Sequence, residues 1–313
     1  MTLTRTRILT IGPVLLVATC YAIAAPSHRL VTPESANPAR DTTVDKIDSN
    51  EPLESRCRSA AKKLRASLGI DWNIIIREPF VLGGDATAEE LDERYKKTVV
   101  PTARALAFSY FSETPRNPIV LLICSSDDRF RECNLRLDDQ ERNQYSGIYV
   151  RKHRRVIVNI ASGEGTLAHE LTHSLAHADF PTMPEWFEEG LASLHEECEF
   201  STDGLHLIGN SNWRHEVAFE ALERGELRLI EDVSSNRFGS PHRANIDYAY
   251  VRSLCLYLQK RGLLEQFYHA CRSNAGSDPT GLRSLCQVAH AANPRAIDDA
   301  FRVWLIAQRP RGQ

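Results

Sequence analysis

The sequence carries little excess charge of either sign and has no long hydrophobic run beyond Ala24. Its 313 residues have a formal net charge of −3 at pH 7. Proteins that hold a phosphate backbone or an anionic membrane surface present an excess of positive charge, so the composition does not favour nucleic acid as a partner. A transmembrane helix needs about 20 consecutive apolar residues. We therefore expect no stable membrane insertion of the chain after Ala24.

The N-terminus has the features of a secretory signal peptide. Arg5 and Arg7 precede an apolar stretch that ends in the small-residue pattern Ala22-Ile23-Ala24, which is typical of such a signal. We predict a signal peptide over residues 1–24 and a secreted or periplasmic protein. The alternative is an uncleaved anchor, which is disfavoured because the stretch is shorter than the usual span and Pro13 interrupts it.

Cysteine pairs at Cys-x-x-Cys spacing, which are typical of structural zinc sites, are absent. Of the eight cysteines, Cys20 lies in the predicted signal peptide and seven remain, an odd number that allows at most three disulfides. For a secreted chain we predict the disulfides Cys124–Cys133 and Cys271–Cys286, with reduced and buried cysteines as the alternative. The seven residues are Cys57, Cys124, Cys133, Cys198, Cys255, Cys271 and Cys286.

A flexible linker is predicted over residues 25–52. This segment is rich in Pro, Ser, Thr, Asn and Asp without apolar periodicity, so it buries too little surface to offset the entropy of ordering. Folded structure is expected to begin near Leu53, where apolar residues recur at helical spacing. These residues are Cys57, Ala61, Leu64 and Leu68.

Residues 53–140 have the pattern of an α/β region. Trp72–Ile76 and Ile119–Cys124 are short apolar runs typical of strands, the second of them buried. The segment Ala86–Phe111 contains a long helical pattern, which we expect Pro101 to break.

Residues 141–313 are predicted to form the catalytic region. It opens with two β-rich runs, Tyr145–Val150 and Val156–Ile160, and the basic segment 151–155 between them is interpreted as the solvated turn of a hairpin rather than as an anion site. After Ile160 the pattern becomes helical, with segments that include Val217–Leu222, Tyr248–Leu258 and Ile297–Leu305.

The first of these later helices contains the motif His169-Glu170-Leu171-Thr172-His173. Histidines four residues apart project from one face of a helix, so their nitrogens can converge on one metal ion. Glu170 is turned by about 100° from His169, which suits a general base that reaches water better than it suits a ligand. Thr166 is a candidate N-cap for this helix.

A catalytic zinc ion usually takes three protein ligands, and a second helix offers acidic candidates for the third. Pro184 suits the first turn of this helix. Glu189 lies at the centre of a face that it shares with other residues. Those residues are Glu185, Ala192 and Glu196.

The motifs HELTH and WFEEGLA resemble those of the gluzincin clan of zinc metallopeptidases, which includes the thermolysin and aminopeptidase N types. The nearest likeness is to secreted bacterial peptidase MA-like proteins. The resemblance spans roughly residues 145–258 and is strong only at the two motifs. It implies an α+β fold with a thermolysin/aminopeptidase-N-like catalytic core, a strand-rich N-terminal half and a helical C-terminal half. It also implies one Zn²⁺ ion held by His169, His173 and Glu189.

Several alternatives for the metal site stay open. Glu188 could be the third ligand in place of Glu189, and His177 or Asp179 could enter the site, although His177 is better explained as a helix-surface residue. Glu196 is a candidate acceptor for the N–H of a ligand histidine.

The resemblance also implies a tyrosine that stabilises the oxyanion of the reaction. In related gluzincins this residue begins a later helix in a Tyr-x-x-small pattern. Tyr250 followed by Ser253 fits that pattern best, with a core tyrosine as the alternative.

The predicted function is hydrolysis of peptide bonds by a secreted zinc metallopeptidase, through a zinc-bound water and Glu170 as general base. The substrate would be a peptide or protein that adds its backbone to an edge strand, either Tyr145–Val150 or Val156–Ile160. The Gly-x-Met-Glu-Asn motif of the aminopeptidase branch is absent, which favours an endopeptidase. The alternatives are a zinc hydrolase of a non-peptide amide, such as a cell-wall component, and a non-catalytic binding protein on the same scaffold.

Overall fold

The computed structural model describes residues 51–140, 142, 145–235 and 238–308. The predicted signal peptide and nearly all of the predicted linker lie outside these residues. The first helix starts at Leu53, where the periodicity of the sequence predicts that folded structure begins.

The fold is mixed α+β. Its helices are α1 Leu53–Leu68, α2 Ala88–Arg94, α3 Val100–Ser109, α4 Asp127–Asp138, α5 Glu164–Asp179, α6 Glu185–Glu196, α7 Trp213–Glu223, α8 Ile230–Val233, α9 Ala244–Lys260, α10 Leu264–Asn274, α11 Leu282–Ala289 and α12 Pro294–Ala307. Its strands are β1 Asn73–Arg77, β2 Phe80–Gly84, β3 Ile119–Cys124, β4 Gly147–Val150, β5 Arg155–Asn159, β6 Cys198–Phe200 and β7 Leu207–Gly209. Within the described residues, no helix is both long enough and apolar enough to cross a membrane.

A five-stranded sheet in the order β1-β2-β3-β5-β4 organises the first half of the described chain. The strands β2, β3 and β5 are parallel, whereas β1 and β4 are antiparallel to their neighbours. Side chains alternate between two hydrophobic clusters: Leu121 and Ile123 of β3 belong to the cluster that includes α5, and Val120 and Leu122 belong to the cluster that includes α1 and α4. The sheet is therefore covered on both faces.

The predicted strands and hairpin are confirmed with small shifts in their ends. Several elements were not predicted, β2 and α4 among them. The strand β2 ends in Gly83-Gly84, and such a pair is typical of a turn in a sequence. The helix α4 consists mostly of charged residues, with Phe130 and Cys133 among its few buried side chains, so its apolar pattern is weak.

Two predictions about helix ends are wrong. Pro101 does not break a helix, because it lies in the first turn of α3. A π-helical segment at Tyr95–Val99 joins α2 to α3 just before it. This wider turn accommodates the absence of an N–H donor at the proline, so the helix continues. Thr166 is not an N-cap, because α5 begins two residues earlier, after Gly163 with φ 113°.

The helix α6 packs between α5 and α9. Two glycines allow the close approach. A Cβ atom on Gly165 of α5 would lie 2.1 Å from the carbonyl oxygen of Glu196, and one on Gly190 of α6 would lie 2.9 Å from the carbonyl oxygen of Val251. Backbone therefore meets backbone on both sides of α6.

All seven cysteines of the described chain are free thiols. The predicted disulfides Cys124–Cys133 and Cys271–Cys286 are thus not present in this structure. Cys124 and Cys133 nevertheless lie in the same buried cluster, where the neighbouring Cys133 and burial raise the pKa of the Cys124 thiol. The alternative of reduced and buried cysteines describes this structure better.

We predict that Gly165→Ala destabilises the protein by about 1–3 kcal/mol, although alanine is the better helix former. The added methyl group has to displace the backbone of Glu196, which cannot move aside as a flexible side chain can. Urea unfolding measures the loss.

Gly276→Ala is the matched control for this experiment. A Cβ atom at Gly276 meets nothing within 4 Å, so we expect a change within about 0.5 kcal/mol. Equal stability of the two variants would contradict the close packing of α5 on α6.

Candidate metal centre

The helix α5 carries the two motif histidines into a buried position beside α6. His169 is 6% exposed and His173 is 7% exposed. Their Nε2 atoms lie 3.1 Å apart, because residues four apart on a helix stand one above the other on the same face. The same ring nitrogen of each histidine therefore points to one place.

Glu189 of α6 completes a group of three metal-ligating side chains. Its Oε2 atom lies 3.9 Å from His169 Nε2 and 3.5 Å from His173 Nε2. Zinc bonds of about 2.0–2.2 Å at a tetrahedral centre place neighbouring ligand atoms about 3.3–3.5 Å apart. The three distances in the protein thus fit one small cation with little adjustment, and within the described residues this is the group of His, Cys, Asp or Glu side chains that could hold a metal ion.

Two buried polar atoms of this cluster have no hydrogen-bond partner among the described residues. One is Oε2 of Glu189, the oxygen that faces both histidines, and the other is Nδ1 of His169. A buried carboxylate oxygen without a donor costs free energy unless a cation compensates for it. The unsatisfied oxygen therefore supports a cation-binding role for Glu189.

Glu188 lies outside the group and accepts a hydrogen bond from the other ring nitrogen of His173. The Nδ1–H of His173 donates to Glu188 Oε1 at 3.2 Å, and Arg151 donates to the other carboxylate oxygen. Burial alone would raise the pKa of Glu188, but Arg151 and His173 outweigh it and lower that pKa to about 2. Burial likewise lowers the pKa of His173, but Glu189 and Glu188 raise it well above its usual value. This arrangement favours Glu189 as ligand and Glu188 as the acceptor that fixes the ring.

Glu170 is 5% exposed and lies against the strand β4. A Cβ atom on Gly147 would be 3.0 Å from Glu170 Oε1, so the carboxylate is in contact with the backbone of the strand. Burial raises the pKa of Glu170 to about 8, and a cation bound beside it would lower that pKa again. The carboxylate is near the histidines but is not one of the three converging groups, as the helix geometry predicts.

The structure does not bring Tyr250 to the cluster. Its hydroxyl group donates to Asp298 Oδ1 at 2.6 Å, and its ring is 1% exposed. Tyr248, two residues earlier on α9, lies near Glu189 instead, and after burial that carboxylate helps to raise the pKa of its phenol. Residues two apart on a helix point to nearly opposite sides, and the side of α9 that faces α6 is the one that carries Tyr248.

The other sequence candidates lie around the site without joining it. His177 contacts the hydroxyl of Tyr149 at 2.7 Å. Asp179 is a structural acceptor at the end of α5, bound by Tyr268 and the backbone of Ser112 and Glu113. Glu196 does not accept from a ligand histidine, because it is paired with Arg214 at 2.6 Å.

Sequence reasoning missed the contribution of α7 to this site. Arg214 is 2% exposed and lies in the first turn of α7. Its charge is close enough to His169 to contribute, after burial and His173, to the lowered pKa of that histidine. No motif marks it. The one local signal is Asn212, which caps the helix and thereby fixes where Arg214 lies.

Comparison with known proteins gives no family assignment. No protein-family model matches the chain, and a search of the curated proteins finds no match. The geometry of the site therefore carries the functional argument.

We predict that Glu188→Gln weakens zinc binding by about 10- to 100-fold, the usual effect of losing an acceptor behind a ligand histidine. The amide accepts a weaker hydrogen bond from His173 and leaves Arg151 without its carboxylate. Competition with a chromogenic chelator measures the affinity.

Glu216→Gln provides the control. Glu216 is exposed on α7, and its substitution removes the same charge from the chain. Zinc affinity that falls equally in both variants would show that the net charge, and not the contact with His173, sets the binding.

Proposed function

We propose that this protein is a zinc-dependent metallopeptidase of the gluzincin type that acts outside the cytoplasm. The observation that carries the proposal is the convergence of His169, His173 and Glu189 on one point, with the unsatisfied Oε2 of Glu189 facing both rings. Two imidazoles and one carboxylate are the ligand set of a catalytic zinc site. When bound, zinc supplies Lewis acidity, which acidifies water and polarises a carbonyl group.

Glu170 is the general base of the proposed reaction. Its carboxylate is buried next to the histidines and lies against Gly147 of β4. It removes a proton from the attacking water as the new carbon–oxygen bond forms, and it delivers that proton to the leaving amine nitrogen as the carbon–nitrogen bond breaks. Because Glu170 does not bind the metal in this scheme, it is free to exchange protons.

The strand β4 is the proposed binding edge for the substrate. Of the two runs that could be the free edge, β5 is paired on both sides by β3 and β4, whereas within the described chain β4 pairs with β5 alone. The outer strand also lies directly against Glu170. An extended peptide that adds to β4 through backbone hydrogen bonds would therefore pass next to the general base.

Tyr248 takes the role that the resemblance implied for Tyr250. Its phenol lies near Glu189 in this structure, so it can orient that ligand and can also donate to the oxygen that becomes negative during hydrolysis. Tyr250 instead has a structural partner in Asp298.

The first test combines zinc analysis with hydrolysis of casein and a fluorogenic peptide by protein purified without chelator. We expect about one zinc ion per chain and hydrolysis in the parent protein. Glu170→Gln should keep the zinc and lose hydrolysis, because only the base is removed. Glu189→Ala should lose both, and Glu216→Gln should lose neither.

Zinc without hydrolysis of any peptide would contradict peptidase activity and would direct attention to a non-peptide amide or to a binding role. Absence of zinc from the parent protein after incubation with the ion would contradict the metal site itself.

A second test separates the two tyrosines. We expect Tyr248→Phe to lower kcat by about 100-fold, in line with the removal of one oxyanion donor. Tyr250→Phe should leave kcat nearly unchanged but cost about 1–3 kcal/mol of stability, because Asp298 loses a buried donor. Steady-state kinetics and urea unfolding of both variants measure these effects, and a larger loss of kcat in Tyr250→Phe would reverse the assignment.

A further inference from the structure

Residues 151–154 of the basic segment form the turn between β4 and β5, whereas Arg155 is the buried first residue of β5. Arg151–His153 is a short 3-10 helix, and Arg154 follows in the left-handed region with φ 47°. Arg151, Lys152 and His153 are exposed and Arg154 is half-buried. The turn is solvated, as the sequence predicts, but the structure also places it at one end of the candidate site.

Three contacts show that β4 leads from the general base to this turn. Gly147 lies against Glu170. Two residues later, the Tyr149 hydroxyl contacts His177, which is nearly two turns further along α5. After two more residues, Arg151 reaches Glu188 and the carbonyl oxygen of Pro181. A peptide bound along the free edge of β4 at Glu170 would therefore extend toward Arg151.

The turn keeps excess positive charge after its ion pairs are considered. Arg155 is paired with Asp138 and Arg151 is paired with Glu188. Arg154 makes no ion pair with any residue that the structure describes. Its charge is also close enough to contribute to the electrostatic environment of both Tyr149 and His177. A guanidinium without an ion pair among the described residues therefore lies in the turn at the end of β4 toward which the peptide would extend.

The direction of the peptide decides which side of the scissile bond meets the turn. Antiparallel pairing is the more stable arrangement of two strands, and in an antiparallel peptide the residues before the scissile bond run toward the C-terminal end of β4. Arg151 follows Gly147, which lies against Glu170, by four residues or about 13 Å at 3.3 Å per residue. A long arginine or substrate side chain can shorten this span by one or two residue positions. The matching substrate positions are the second to fourth residues before the scissile bond.

We infer that the turn 151–154 selects peptides with an acidic side chain two to four residues before the scissile bond. This inference rests on the proposed peptidase function and adds a substrate class to it. Arg154 is the main determinant of this preference. Arg151 contributes less, because a substrate carboxylate would have to bind its guanidinium together with Glu188.

The test uses fluorogenic peptides that differ only in carrying Glu, Gln or Lys three residues before one cleavable bond. An exposed charge pair changes an equilibrium by up to about 5-fold, so kcat/KM should fall by a few-fold from Glu to Gln and again from Gln to Lys. High salt should remove the differences, because it screens exposed charges.

Arg154→Asn should reduce the differences among the three peptides, and Arg154→Glu should reduce them further, while the other basic residues of the turn keep any remaining order. Asparagine is well tolerated in the left-handed region, so the first variant neutralises the charge without straining the turn. Lys63→Glu is the control for Arg154→Glu, since both substitutions change the net charge by the same amount. Lys63 is exposed on α1, which packs on the other face of the sheet. The control variant should keep the parental differences.

Hydrolysis of all three peptides at the same rate would overturn the inference while leaving the peptidase function intact. A preference for Glu only when it follows the scissile bond would also overturn it, because the peptide would then run parallel to β4. If no peptide is cleaved, the proposed function fails. Fluorescence polarisation with the Glu170→Gln variant still tests the turn by its relative affinities for the three peptides, and equal affinities would contradict the inference.

Discussion

The site depends on how closely α6 can approach its two neighbours. On one side, Gly165 lets α5 meet the backbone of α6 at Glu196, and on the other side, Gly190 lets α6 meet the backbone of α9 at Val251. Glu189 is the residue directly before Gly190. The close contact between α6 and α9 that Gly190 allows therefore also sets the position of the Glu189 carboxylate relative to the histidines. A wider separation would move Glu189 away from the two Nε2 atoms and Tyr248 away from Glu189.

A divalent cation at the proposed metal centre would complete the charge balance of the cluster. Glu188 is balanced by Arg151, and Glu196 is balanced by Arg214. Glu189 and Glu170 are left as two carboxylates that are mostly removed from water, one with an unsatisfied oxygen and the other with a pKa raised to about 8 by burial. A divalent ion bound there would favour the unprotonated forms of both histidines and the ionised forms of both carboxylates. Its binding free energy would compensate for the cost of burying them.

Local spacing predicted the parts of this protein that one helix or one strand determines. Histidines four apart define their shared face without any neighbour, and β3 is recognisable as an unbroken apolar run. The choice between Glu189 and Glu188, and between Tyr248 and Tyr250, depends on how α6 and α9 are rotated against their neighbours. That rotation is set by contacts between residues far apart in sequence, such as Gly190 with Val251 and Cys255. Arg214 was missed for the same reason, since only tertiary packing brings α7 to the histidines.

The most direct test of the account is anomalous diffraction at the zinc absorption edge from crystals grown with the ion. We expect one strong peak between Nε2 of His169, Nε2 of His173 and Oε2 of Glu189, with Glu170 nearby but not coordinated and Glu188 still hydrogen-bonded to His173. A peak on Glu188 instead would change the third ligand. No peak at the two histidines would contradict the metal centre and the proposed chemistry with it.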